Sequence, residues 1–316
     1  MGKIAFVFPG QGAQYVGMGK EIVENYEIAN EVFKQASEAI GYDMKKMCFE
    51  GPQDELMKTE NTQPAILTTC IAIAKVIEQK GITPDVSAGL SLGEYASLVI
   101  ANVIDFKEAV GLVKKRGAYM QAAVPAGVGT MAAILGMERN DLEAVLQQAQ
   151  KDGIVEAANF NCPGQIVISG EIKAVEKACE LAIEQGAKKA VKLPVSAPFH
   201  CSMLALAGEK LDKELDEVSI NELKLPVISN VAADYYAGKD SVKETLVSQV
   251  SSSVLWEDSV MKMIEDGVDT FIEIGPGKSL SQFIKKISKK ENKKVKIHNV
   301  EDMNSLNKTV DDLLDK

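Results

Sequence analysis

Histidine and tryptophan are scarce in this chain: two and one among 316 residues. The five cysteines (Cys48, Cys70, Cys162, Cys179, Cys201) are odd in number and form no C-x-x-C pair. That speaks against a disulfide framework or a zinc site, and no metal is expected. No apolar run reaches membrane-spanning length, and the first residues lack the basic, apolar and small-residue order of a secretory signal. Basic excess is missing too, since the net charge of −10 leaves nucleic-acid binding without general support. Internal repeats and low-complexity linkers are absent. These absences lead to the expectation of a cytoplasmic protein with reduced thiols and no membrane or nucleic-acid partner.

What is present is ordinary globular composition, 46% hydrophobic and 25% charged, in a chain long enough for a substantial core. Strand-like and helix-like segments alternate. IAFVF (Ile4 to Phe8) reads as a buried strand, followed by a helix from about Met18 to Ala39. A helical apolar pattern runs from Thr62 to Lys80. DVSAGLSLG reads as strand, sharp turn and helix, and Asp105 is an N-cap candidate for the next helix. TFIEIGPG is a late apolar strand. This alternation predicts an α/β fold with a mostly parallel sheet covered by helices. Between about Gly127 and Leu193 the order changes to βαββαβ, the ferredoxin-like pattern. The expected organisation is a core of residues 1–126 and 194–316, with residues 127–193 as an inserted subdomain. A cleft between the two parts would suit a ligand.

The first strand ends in FPGQGAQ, a loop nearly stripped of side chains. A phosphate cradle fits poorly. A dinucleotide fingerprint starting at Gly10 needs glycine where Tyr15 stands, and a Walker loop ending at Lys20 needs glycine at Gln14 and Ser or Thr at Glu21. A tight turn or a close backbone approach remains.

Gly89-Leu90-Ser91-Leu92-Gly93 matches G-x-S-x-G between a strand-like and a helix-like run. In such a turn the serine oxygen projects into open space, at a helix N-terminus that favours a developing anion. A serine nucleophile needs a base, and there are two candidates. His200, in PVSAPFH, follows the last strand of the βαββαβ segment and would pass the cleft. His298, in VKIHNV, fits the α/β-hydrolase order of serine, acid, late histidine.

In the helix beginning at Phe106, the residues Ala109, Val110, Val113, Gly117 and Met120 form one apolar stripe, and Arg116 falls inside it. A guanidinium directed at the interior needs a partner. That partner is either a structural acid or a substrate carboxylate held bidentately. Lysines also crowd the segment Lys285, Lys286, Lys289, Lys290, Lys293, Lys294 and Lys296, as a solvated face or as a docking patch for an acidic partner.

FPGQGAQ, GLSLGEY, KKRGAYM, ANFNCPGQIVISG, SAPFH and EIGPGKSL occur in that order. Together they resemble the malonyl-CoA:acyl carrier protein transacylase family of bacterial fatty-acid synthesis, over essentially the whole chain. The resemblance implies a hydrolase-like α/β core with a ferredoxin-like insert and transfer of malonyl from malonyl-CoA to acyl carrier protein without a cofactor. It implies Ser91 as nucleophile, His200 as general base and acid, and the backbone N–H groups of Gln11 and Leu92 as the oxyanion hole. Arg116 would pair with the malonyl carboxylate. Phe199 would narrow the acyl pocket, which Gln63 and Asn161 would also line. Leu255, before Trp256, would offer its carbonyl to orient the histidine. The carrier protein would dock near Lys285, Lys286 and Lys289, or near Lys188, Lys189 and Lys192. Leu90 departs from the family, which usually has histidine there. Two competing readings are a serine esterase or thioesterase using Ser91, His298 and Glu273, and a carrier-binding module without catalysis.

Overall fold

In the computed structural model, which describes residues 2–195 and 197–314, the first strand β1 (Lys3–Phe8) lies at the middle of a parallel sheet. Its partners are β2 (Val86–Gly89) on one side and β8 (Val268–Ile274) on the other. The short β7 (Val227–Ile228) extends the sheet beyond β2, and β9 (Lys296–Val300) extends it beyond β8. Both faces of β1 are covered. Ile4, Phe6 and Phe8 enter one apolar cluster, while Ala5 and Val7 enter another built around Trp256, Val260 and Ile284. Burial on two sides is why this strand reads as a continuous apolar run rather than an alternation.

A second sheet is antiparallel. It contains β3 (Gly129–Leu135), β4 (Val155–Cys162), β5 (Gln165–Glu171) and β6 (Lys189–Lys192), in the order β4-β5-β3-β6. The helices Arg139–Ala149 and Ile172–Glu184 pack on it through Leu142, Val145, Ala174 and Ala178. Chain order is therefore βαββαβ. β4 is also tied to the segment just before the helix Trp256–Glu265 by a bridge between Asn159 and Val254, with hydrogen bonds from Phe160 N to Val254 O (2.9 Å) and from Val254 N to Ala158 O (2.8 Å).

The expected single helix from Met18 to Ala39 is two helices, Lys20–Asn25 and Glu27–Ile40. Tyr26 between them is extended, at φ −132° and ψ 118°. The buried residues Ile22, Ala29 and Phe33 keep helical spacing across the break, so periodicity passes over it. Asp105 does cap the helix Phe106–Ala122, accepting from Lys107 N at 2.8 Å.

Candidate active site

β2 ends at Gly89 and the helix Leu92–Ile100 begins three residues later. The turn between them holds Ser91 at φ 52° and ψ −102°, outside the regions an L-residue prefers. Glycines allow the surrounding backbone to close in. A Cβ on Gly93 would stand 2.1 Å from the Phe8 carbonyl oxygen, and one on Gly10 would stand 2.6 Å from the Leu90 carbonyl oxygen. Leu90 N donates to Phe8 O at 3.0 Å. The bare FPGQG loop therefore lies directly against the serine turn. Among the described residues, the backbone N–H groups of Gln11 and Leu92 have no acceptor. The Gln11 side chain is directed away to Thr59 Oγ1, at 3.3 Å.

A residue the sequence did not reveal stabilises this turn. Asn230 accepts from Ser91 N with its Oδ1, and its Nδ2 donates to Gly89 O at 2.7 Å. One amide thus bridges the backbone on both sides of Leu90. Replacing Asn230 by alanine should strand a buried N–H and a buried C=O, at about 1–3 kcal/mol each. The expected result is a clear drop in the urea midpoint.

His200 also sits at positive φ, 60°. Its Nε2 lies 2.7 Å from Ser91 Oγ and its Nδ1 lies 2.9 Å from the backbone carbonyl of Gln249. A carbonyl can only accept, so the proton belongs on Nδ1, and the bare Nε2 accepts from the serine hydroxyl. Burial, and then the Arg116 charge, push the imidazole down to about 4. The histidine is therefore neutral across the physiological range. Ser196, the first residue of the SAPFH motif, lies outside the described residues.

Arg116 is 1% exposed. Its helix comes close to the helix Thr59–Gln79 because Gly117 has no side chain: a Cβ there would meet the Thr59 carbonyl oxygen at 2.6 Å. The guanidinium donates to Gln63 Oε1 (2.8 Å), Ser91 Oγ (3.0 Å) and Gln249 Oε1 (2.9 Å), and it lies over the Tyr95 ring. Among the described residues no carboxylate pairs with it directly.

Leu255 does not hold the histidine. Its carbonyl accepts from the N–H and hydroxyl of Ser259 as the next helix starts, and the carbonyl facing His200 is that of Gln249. Gln63 joins the cluster through Arg116. Phe199 is buried beside His200, whereas Asn161 is buried on β4 without a hydrogen bond to Ser91, His200 or Arg116. His298 stands on β9, separated from β2 by β1 and β8, with Nδ1 3.8 Å from Asp312. Glu273 accepts from the N–H groups of Leu280 and Ser281 at the start of the helix Ser279–Lys290. Ser91, His298 and Glu273 are thus not one constellation.

On that same helix, Lys285, Lys286, Lys289 and Lys290 are exposed, and Lys290 pairs with Glu138 and Glu257. Lys188 and Lys189 are exposed as well, while Lys192 pairs with Glu176. Among the described residues, no helix is long and apolar enough to cross a membrane.

Residues 5–313 match the family model described as an acyl transferase domain. The chain is 51% identical over 291 residues to the malonyl CoA-acyl carrier protein transacylase of Bacillus subtilis, covering 92% of each chain. The crystal structure of malonyl CoA-acyl carrier protein transacylase from Clostridium perfringens superposes with a TM-score of 0.96 at 53% identity, covering 99% of this chain and 98% of that one. The malonyl-transacylase PlMCAT, in complex with the type II PKS acyl-carrier protein AntF, superposes with a TM-score of 0.94 at 38% identity, covering 98% and 99%. With a match spanning nearly its whole length and relatives this similar in sequence and fold, the chain belongs to the acyl transferase family, in the group formed by the malonyl CoA-acyl carrier protein transacylases.

Proposed function

We propose that this chain is an [acyl-carrier-protein] S-malonyltransferase working through a malonyl ester on Ser91. The observation that carries the reading is one cluster in which Ser91 Oγ is hydrogen-bonded to both His200 and Arg116. Ser91 Oγ attacks the thioester carbonyl of malonyl-CoA as its proton passes to His200 Nε2. The oxyanion is received by the open N–H groups of Gln11 and Leu92, where one such donor contributes roughly 2.7–4 kcal/mol. His200 returns the proton to the departing thiolate of coenzyme A. The phosphopantetheine thiol of acyl carrier protein then reverses these steps and leaves as malonyl thioester, completing a ping-pong cycle.

Arg116 receives the malonyl carboxylate, and Phe199 and Gln63 shape the acyl end of the pocket. Residues 127–193 are read as a subdomain inserted into the core of 1–126 and 194–316, and the histidine enters from its exit. The complex of PlMCAT with its carrier protein supports a macromolecular acceptor. The exposed Lys285, Lys286 and Lys289 offer such an acidic partner a docking surface.

The direct test is intact mass after brief exposure to malonyl-CoA. A malonyl adduct should form on the wild type and be absent from Ser91→Ala. Release of free coenzyme A without an adduct would mean that water takes the acyl group, which is the hydrolase reading. The depressed His200 value gives a further expectation. A base must be unprotonated to act, so acylation is sustained above its value and lost as pH falls through it. With acetyl-CoA, whose acyl group carries no carboxylate, kcat/KM should stay on its plateau at about pH 6 and fall only toward about 4. Glu94 is pushed up to about 7 by burial, so an acidic limb centred near 6.5 that persists in Glu94→Gln would contradict this assignment.

A further inference from the structure

Two charged side chains are buried in this site, and they do not touch. Arg116 Nη2 donates to Gln249 Oε1 at 2.9 Å, and Gln249 Nε2 donates to Glu94 Oε2 at 2.7 Å. One side-chain amide thus stands between a cation and an anion. Its orientation is fixed, because a guanidinium only donates and a carboxylate only accepts. The same Nε2 also donates to the Ser91 carbonyl at 3.1 Å. Glu94 is itself held in place by the N–H of Asn230 at 2.9 Å and by the Tyr236 hydroxyl. It cannot swing to Arg116 without abandoning both.

We infer that the Gln249 side chain is a spacer between Glu94 and Arg116 that determines acyl specificity. It couples the two charges well enough to offset a buried cation, yet keeps the carboxylate one amide away. A direct Arg–carboxylate pair would occupy the guanidinium fork bidentately, and a substrate carboxylate would then have to displace it. With the amide interposed, three of the five N–H donors are engaged by neutral groups, and the Nε–H has no hydrogen-bond partner. Gln249 and Glu94 are positioning residues here: neither side chain is placed on the reacting atoms, and their effect on acyl choice runs through Arg116, while Gln249 also holds the Ser91 carbonyl and, through its backbone carbonyl, His200. The inference rests on the reading of Arg116 as the malonyl clamp.

The test exchanges the two side chains. Glu94→Gln with Gln249→Glu keeps the number of charges and moves the anion into direct contact with Arg116. Initial acylation rates with malonyl-CoA and acetyl-CoA are read by intact mass at about pH 8. Burial pushes Glu94 up to about 7, so it is largely ionised under that condition. The exchange should lower the malonyl-to-acetyl ratio about tenfold or more. Because Gln249→Glu removes the donor to the Ser91 carbonyl, Tm is expected to fall as well, and the ratio is the quantity read. Glu94→Gln alone should lower Tm and leave the ratio within about threefold, because the fork stays open. A purely structural role for the pair would move Tm and leave both ratios alone.

An exchange variant whose ratio matches the wild type would overturn the spacer. So would a large fall in the ratio for Glu94→Gln alone, an arm that stands if the exchange variant does not accumulate. Arg116→Ala, measured alongside, separates the two levels. If it lowers the ratio, only the spacer has failed; if it does not, the clamp reading has failed with it.

Discussion

Replacing His200 by alanine should reduce malonyl transfer by about 10⁴- to 10⁶-fold, the range seen when a residue is removed from a nucleophile–base pair. Two observations set this expectation. Nε2 is 2.7 Å from Ser91 Oγ, and Nδ1 is anchored on a carbonyl, so the ring is both in reach and in the right tautomer. His298→Ala is the matched control. That histidine stands on β9, on the far side of β1 and β8 from the serine strand, and its exchange should change turnover by less than about twofold. Measuring both variants under identical conditions also tests the hydrolase reading, in which the two outcomes would be reversed.

Arg116→Ala should separate malonyl from acetyl. Removing one partner of a buried ion pair costs about 3–5 kcal/mol, equivalent to roughly 150- to 5,000-fold in rate. That loss should fall on malonyl-CoA, whose carboxylate would be left without its counter-charge. Acetyl-CoA has no carboxylate to strand, so its acylation should fall far less. Arg116 also donates to Ser91 Oγ, so some loss common to both substrates is expected. The quantity to read is therefore the ratio of the two acylation rates. An unchanged ratio would remove the carboxylate clamp while leaving the nucleophile in place.

Parts of this site were legible because their signal is local. Ser91 stands in a five-residue motif between a strand and a helix, and Arg116 interrupts an apolar stripe. With two histidines in the chain, the base was nearly a choice by elimination. Gln249 and Asn230 gave no such sign. They reach the serine turn across 158 and 139 residues of sequence, on segments whose local pattern is unremarkable. The expected histidine anchor, the Leu255 carbonyl, fails for a local reason: it is already accepting hydrogen bonds as the next helix begins. Glu94 was within reach of the reasoning that found Arg116. It is the one charged residue in LGEYASLVI, a helix buried along its whole length, and an isolated charge in such a helix calls for a partner. In the fold, the alternation and the βαββαβ order were readable, whereas the break at Tyr26 was hidden by an apolar spacing that continues through it.

The segment that carries His200 is anchored at both ends. It comes directly from β6 of the antiparallel sheet, and its residues Ala197, Phe199 and Leu204 join the same apolar cluster as Leu92 and Tyr95 of the serine helix. β4 holds this region from the other side: it binds Val254 through backbone hydrogen bonds and Ser253 through its hydroxyl, while Glu156 on the same strand accepts from the N–H of Ser202, two residues past the histidine. The antiparallel sheet thus serves as a brace for a loop that would otherwise have to hold an imidazole at positive φ by itself.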